Sequence, residues 1–260
     1  MRALLRACAS AFVMTLKMSV VSSWTYLTWI IFPLIVAAVG LQLLSHSSAP
    51  GHDAYAALGG GLIGYWGAAY LDAGGSINRE RWEGTLESLL ALPTPLPVVV
   101  VGKTLAALCL GALSFIPAFG LAYIGFRVLP PEVAPLPFIV SFMVLSFSFF
   151  AVAITLAPLY TLWRWAFSIS NGFELGLYAL GGFLFPIDRL PGWLQGASWL
   201  LPPSWATRAL YRAAGGGGPA DYVAWWALAV GSSLVLIVLS RILFGIVETR
   251  SRVTGQMATA

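Results

Sequence analysis

Long apolar runs follow one another along most of the chain, separated by short breaks rich in Pro, Gly and charge. Crossing roughly 30 Å of hydrocarbon takes about 20 mostly apolar residues. Six stretches meet that requirement: Trp24 to Leu44, Ala54 to Leu71, Val98 to Phe126, Pro137 to Tyr160, Ala166 to Phe185 and Tyr222 to Val247. Pro33 inside the first is tolerable where neighbouring helices satisfy the freed carbonyl. Gly60 and Gly64 in the second form a small-xxx-small pair, the spacing that lets two helix backbones approach closely. The pattern therefore predicts an all-α membrane protein with six transmembrane helices.

Four regions stand outside these runs. Residues 1–22 interleave Arg2, Arg6 and Lys17 with Leu5, Phe12 and Leu16, a rough helical apolar face that predicts an interfacial N-terminal helix. Its modest apolar character gives no reason to expect a cleaved signal peptide. Residues 186–214 are apolar and rich in Trp, yet Pro186, Pro191 and Pro202 cut them into pieces too short to cross. Such pieces predict a re-entrant or interfacial helical region, with Gly215–Gly218 as a flexible joint before the last span. Residues 251–260 form a polar tail.

Composition agrees with the pattern. The chain has 260 residues, of which 59% are hydrophobic and 9% charged, against roughly 25% charged in soluble domains. Six spans and their loops use up this length, leaving no room for a separate catalytic domain. Ten of the 14 Lys and Arg residues fall on one side if the N-terminus is inside. Arg127, Arg189, Arg208 and Arg212 make up the other side, so the positive-inside rule places both termini in the cytoplasm.

The fourth region, Ser76 to Pro97, concentrates charge: Arg79, Glu80, Arg81, Glu83 and Glu87 all lie within it. Gly84 interrupts helix, and Thr85 is a good N-cap for a short helix that follows. Leu86, Leu89 and Leu90 form an apolar patch at i, i+3, i+4 spacing, and Pro93 ends the helix. Two turns of helix are unstable alone, so the segment needs a surface, either the headgroup region or a soluble partner. Its acidic residues disfavour anionic lipid.

The sequence lacks the signatures of most catalytic chemistry. Pro97–Thr104, PVVVVGKT, has Pro where a phosphate-binding loop needs Gly, so Lys103 is read as snorkelling to headgroups. No paired cysteine, metal-ligand or nucleophile–base spacing occurs in the sequence. Glu174 is the one carboxylate inside a span, where an ionised acid is costly. With Asn171 it either lines a polar path or makes a packing contact with a neighbouring helix.

Arg81-Trp82-Glu83-Gly84-Thr85-Leu86-Glu87-Ser88-Leu89-Leu90-Ala91-Leu92-Pro93 resembles the R-x-x-G-T-[LI]-E-x-L-L-x-x-P stretch of permease subunits of ABC-2 type (type V) ABC transporters, drug or antibiotic exporters among them. Gly182-Phe183-Leu184-Phe185-Pro186, then Leu190-Pro191-Gly192-Trp193-Leu194 and Leu201-Pro202, is similar to the external re-entrant hairpin of that family.

The resemblance implies that residues 23–250 form an ABC-2 transmembrane domain and that about 78–92 form a coupling helix. Arg81, Glu83, Gly84, Thr85, Glu87, Leu89 and Leu90 would dock on a cytoplasmic ATP-binding subunit. Pro186, Pro191, Trp193 and Pro202 would shape the hairpin. Two such subunits would carry ATP and Mg, with no cofactor and no catalysis on this chain. The remaining partners would be a second permease chain, identical or a paralogue, and the lipid bilayer, with no nucleic acid. The expected function is export of a hydrophobic or amphipathic substrate across the cell membrane. Two other readings stay open: an ion-coupled secondary transporter using Glu174, and a non-transporting membrane anchor or regulatory module.

Overall fold

Backbone N–H and C=O groups in hydrocarbon must be satisfied within the segment, and the chain meets this with helices. The computed structural model describes residues 2–22, 27–44, 52–90, 94–126, 135–214 and 219–254, and these are helical apart from short turns. The loop holding His46, the loop with Arg127, the Gly215–Gly218 joint and the end of the tail lie outside the described residues.

Helix α1 (Arg2–Val21) comes first. A π-helical turn, Leu27–Ile31, leads into α2 (Phe32–Leu44). Helix α3 (His52–Gly67) continues through a second π-helical turn, Ala68–Ala73. The charged linker holds α4 (Ser76–Trp82) and α5 (Leu86–Leu90). Helix α6 (Leu96–Gly111) passes through a 3-10 turn, Ala112–Ser114, into α7 (Phe115–Phe126). The tightened turn precedes Pro117, which cannot donate to the helical ladder. Helices α8 (Pro135–Leu162) and α9 (Arg164–Leu180) follow. After a 3-10 turn, Ile187–Arg189, come α10 (Gly192–Ser198), α11 (Pro202–Ala214) and α12 (Pro219–Thr254).

Among the described residues, four helical stretches are long and apolar enough to cross a membrane: Arg2–Val21, Leu96–Ile124, Pro135–Leu162 and Tyr222–Thr249. The first was expected at the interface because of its three basic residues. No residue of α1 is buried, and it leans along α6. A Cβ on Gly102 would lie 2.4 Å from the Cys8 carbonyl oxygen, and Leu16 packs on Ala68 and Leu110. The expected fifth span ends earlier than Phe185. Gly182, at φ +70°, closes α9, with Phe183 N–H on the Tyr178 carbonyl and Gly182 N–H on the Ala179 carbonyl, both at 3.1 Å. This is a Schellman stop. The last helix runs four residues into the expected tail.

Contacts between helices set their directions. Gly60 and Gly64 meet α2, where a Cβ on Gly60 would lie 2.6 Å from the Ala37 Cβ and one on Gly64 2.5 Å from the Pro33 Cγ. Higher residues of one thus meet lower residues of the other, so α2 and α3 are antiparallel. By the same test α3 with its π-helical turn is antiparallel to the α6–α7 stretch, since Gly61 meets Phe115 while Ala68 meets Gly111. Helices α8 and α12 are parallel along a polar seam. Trp226 Nε1–H donates to Ser141 at 2.9 Å, Ser233 to Ser148 at 3.2 Å, and Thr155 to the Leu236 carbonyl at 3.0 Å. Positions 141, 148 and 155 repeat every seven residues, the signature of nearly aligned helices. Since α8 and α12 point the same way, the chain comes back between them.

The core is aromatic. Trp66 lies 5.2 Å from Phe149 and 5.5 Å from Phe183 between ring centroids, and Tyr65 stacks on Phe142 at 5.6 Å. Buried Tyr211 donates to the Phe183 carbonyl at 2.7 Å, which pins the turn after α9 to α11.

Gly64→Ala is expected to destabilise the fold by about 1–3 kcal/mol through overpacking, because its Cβ meets Pro33 and Ser114. Gly67→Ala, with nothing within 4 Å, is expected to stay within about 0.5 kcal/mol of the parent. Thermal unfolding in detergent compares the two.

Candidate functional site

Residues 76–90 fold back against the end of the bundle as two short helices meeting at a sharp break. Gly84 adopts φ +72°, a left-handed conformation that favours glycine. Gly84 N–H bonds the Arg81 carbonyl at 3.2 Å and Thr85 N–H the Glu80 carbonyl at 2.9 Å, again the Schellman pattern. The Thr85 hydroxyl turns back to donate to the Glu80 carboxylate, where the sequence suggested a cap on the helix that follows.

Three consecutive residues of α4 reach three different helical stretches. Arg79 pairs with Asp72, in the π-helical turn that continues α3, at 2.9 Å. Glu80 pairs with Lys103 of α6. Arg81 donates to the Thr161 carbonyl, at the end of α8, at 3.4 Å. Successive helical residues point about 100° apart, so one turn can fan out to three neighbours. Lys103 is thus an ion-pair partner, which corrects its reading as a headgroup snorkeller. Burial alone raises the Glu80 carboxyl. Hydrogen bonds from Lys103 and Thr85, with the charges of Lys103 and Arg79, outweigh that and hold it below the usual carboxylate range.

An apolar pad lies beneath: Ile77, Leu86, Leu96, Val100, Ile154 and Phe244, drawn from α4, α5, α6, α8 and α12. Leu89 is partly buried against it. The chain itself therefore supplies the surface that the short helix needs, and Leu86 is fully committed to it. What remains outward is a ledge of Trp82, 71% exposed, with Glu83, Gly84, Thr85 and Ser88. The side chains of Glu87 and Leu90 lie outside the described residues, and Arg81 is half-buried. Trp82 and Glu80 were missed by motif reading. A large aromatic flanked by charges in a segment barred from the bilayer was the available signal for Trp82.

The other singled-out residues lie elsewhere. Glu174 sits ten residues beyond Arg164 on α9, about 15 Å by helical rise. It accepts a hydrogen bond from Tyr178, one turn on, and is half-buried. The Asn171 side chain lies outside the described residues. Pro186 and Pro191 precede the 3-10 turn and α10, and Pro202 opens α11. Trp193 is 76% exposed. The turn region is internally tied: Ser204 donates to the Ser198 carbonyl at 2.6 Å and Trp205 to the Trp199 carbonyl at 3.0 Å. Among the described residues no cluster of His, Cys, Asp or Glu could hold a metal ion.

Packed apolar helices, with a charged linker tied to three of them and an exposed ledge at its break, define a multi-pass helical membrane protein. Residues 11–213 match the ABC-2 type transporter family, and the chain belongs to that family. It is similar to the probable multidrug ABC transporter permease YbhR of Escherichia coli strain K12, at 24% identity over 128 residues. The match covers 49% of this chain and 34% of that protein. YbhR of Escherichia coli O157:H7 matches with the same figures. The matched segment thus amounts to about a third of the length of these curated relatives.

The lowered Glu80 carboxyl has a linkage consequence. A group with a depressed folded pKa stabilises above its unfolded pKa and loses that contribution as pH falls through the folded one. Glu80→Gln is therefore expected to unfold at a lower temperature than the parent near neutral pH, with the two converging in acid below the ordinary carboxylate range. Thermal unfolding across a pH series reads the difference.

Proposed function

We propose that the chain is the membrane-spanning permease subunit of an ATP-driven ABC exporter. It forms the path for a hydrophobic or amphipathic substrate, while ATP and Mg are handled by a separate ATP-binding chain. The observation that carries the reading is the ledge at Trp82–Thr85, the outward part of a linker anchored to three spans, in a chain of the ABC-2 type transporter family. A protein clamped there can move the bundle without touching the substrate.

In this reading the bundle crosses the cell membrane six times with both termini cytoplasmic. The antiparallel and parallel helix pairs described above support that count, because each agrees with alternating crossings and a non-crossing segment at 187–214. The ledge is the coupling element, with Arg81, Glu83, Gly84, Thr85, Glu87, Leu89 and Leu90 at or beside it. Two ATP-binding subunits and a second permease chain, identical or a paralogue, complete the exporter. Glu174 and Asn171 are candidate path-lining residues on α9. An ion-coupled transporter working through Glu174 would need no ATPase, and Tyr178 already gives that carboxylate a local partner.

Purification of the tagged chain from its native membranes is expected to bring an ABC ATP-binding subunit with it, identified by mass spectrometry. Trp82→Ala combined with Glu83→Lys is expected to lower that subunit's recovery at least tenfold, about 1.4 kcal/mol or more of association energy, with unchanged yield of the chain itself. Equal recovery from parent and variant would show that the ledge does not dock the motor.

A further inference from the structure

The two carboxylate oxygens of Glu80 serve different parts of the protein. One accepts from Lys103 at the start of α6, and the other accepts from the Thr85 hydroxyl at the linker break. Thr85 is held to the same residue a second time, its N–H on the Glu80 carbonyl at 2.9 Å. One side chain thus makes polar contacts to both the exposed break and the root of α6, next to the apolar pad that holds Leu86, Leu96 and Val100. Both members of the ion pair are mostly covered, at 18% and 20% side-chain exposure, so salt screens the pair less than a surface one. Charge-assisted bonds of this kind resist stretching more than neutral ones.

Lys103 adjoins a second constraint. Gly102 lies so close to α1 that a Cβ there would stand 2.4 Å from the Cys8 carbonyl oxygen and 2.9 Å from the Ala11 Cβ. Any displacement of the root of α6 must therefore move α1 with it, because close-packed contacts transmit strain. Arg79 and Arg81 hold the same turn of α4 to the π-helical end of α3 and to the end of α8, while Glu80 supplies the charged tether to α6, beside the apolar pad that includes Ile77, Leu86, Leu96 and Val100.

We propose that Glu80 is the positioning residue that delivers movement of the exposed Gly84–Thr85 break to Lys103, and through it to α6 and α1. The inference rests on the reading that an ATP-binding subunit grips the ledge. It deepens that reading by assigning the step between the grip and the membrane helices to one carboxylate that touches neither ATP nor substrate.

The test uses the intact complex purified with its ATP-binding subunit. Cysteines 8 and 109 are replaced by Ser, and spin labels are placed at Ile124, at the far end of α7, and at Val223, near the start of α12, which are 82% and 63% exposed. Distances between the labels are measured with and without ATP and vanadate. The parent is expected to show an ATP-dependent shift. Glu80→Gln and Lys103→Gln are each expected to retain the ATP-binding subunit and its ATP hydrolysis while losing at least half of the shift. The charge-swapped pair Glu80→Lys with Lys103→Glu is expected to regain it. A purely structural role would lower yield and unfolding temperature but leave the shift intact in the molecules that fold. Should Glu80→Gln fail to accumulate, Glu80→Asp carries the same measurement, since it keeps the charge and shortens the reach. A parent-like shift in the single variants, or no recovery in the swapped pair, overturns the proposal while docking stands. Absence of the ATP-binding subunit from the parent preparation overturns the docking reading and this inference with it.

Discussion

Helices surrounded by hydrocarbon gain little from burying apolar surface against one another, because lipid tails are as apolar as Leu. What holds this bundle together must therefore be close approach and short polar contacts. Both are visible. Glycine at positions 60 and 64 lets α3 sit against Pro33 and Ala37 at distances that no Cβ would allow. Between α8 and α12 the work falls to Ser141, Ser148 and Thr155, each bonded across the interface. Model systems put such bonds at about 0.6–2 kcal/mol apiece, modest singly but additive along an aligned seam.

The same rule separates what could be read in the sequence from what could not. Helix class, the charged linker and the broken segment at 186–214 are local properties of charge and proline, so they were legible. The Gly84 break was also legible, since a positive φ at a helix stop strongly favours glycine. The end of α9 was misplaced even though Gly181-Gly182 carried the same signal, because the apolar residues beyond it kept the run looking continuous. Phe183 is apolar for another reason: it is buried beside Trp66 and Phe149 in the aromatic core.

Partners distant in sequence were beyond reach. Nothing near Arg81 announces Thr161, eighty residues on, and Lys103 beside an apolar run has an equally good life among headgroups. The seven-residue repeat of Ser141, Ser148 and Thr155 was readable in principle. It passed unnoticed because Ser in a membrane helix often bonds its own backbone, as Ser146 does to the Phe142 carbonyl. The leucine patch shows the limit of spacing as a guide. It indicates an apolar face but cannot say what covers it, and the chain's own α6, α8 and α12 supply the cover for Leu86.

That last point changes how force could enter the bundle. A helix stuck to a partner through its leucines would move as a separate lever, joined to the membrane helices only by flexible ends. Here Leu86 is packed inward and Leu89 partly so, which ties the linker to the ends of α6, α8 and α12 at the scale of a helical turn. A grip on Trp82 to Thr85 then acts on a surface that cannot yield by itself. The apolar pad resists compression because it is close-packed, and the three tethers of α4 resist sliding in three directions. In the proposed exporter, motion at the ledge would become motion of whole helices, and the glycine contact between α6 and α1 would extend it to α1.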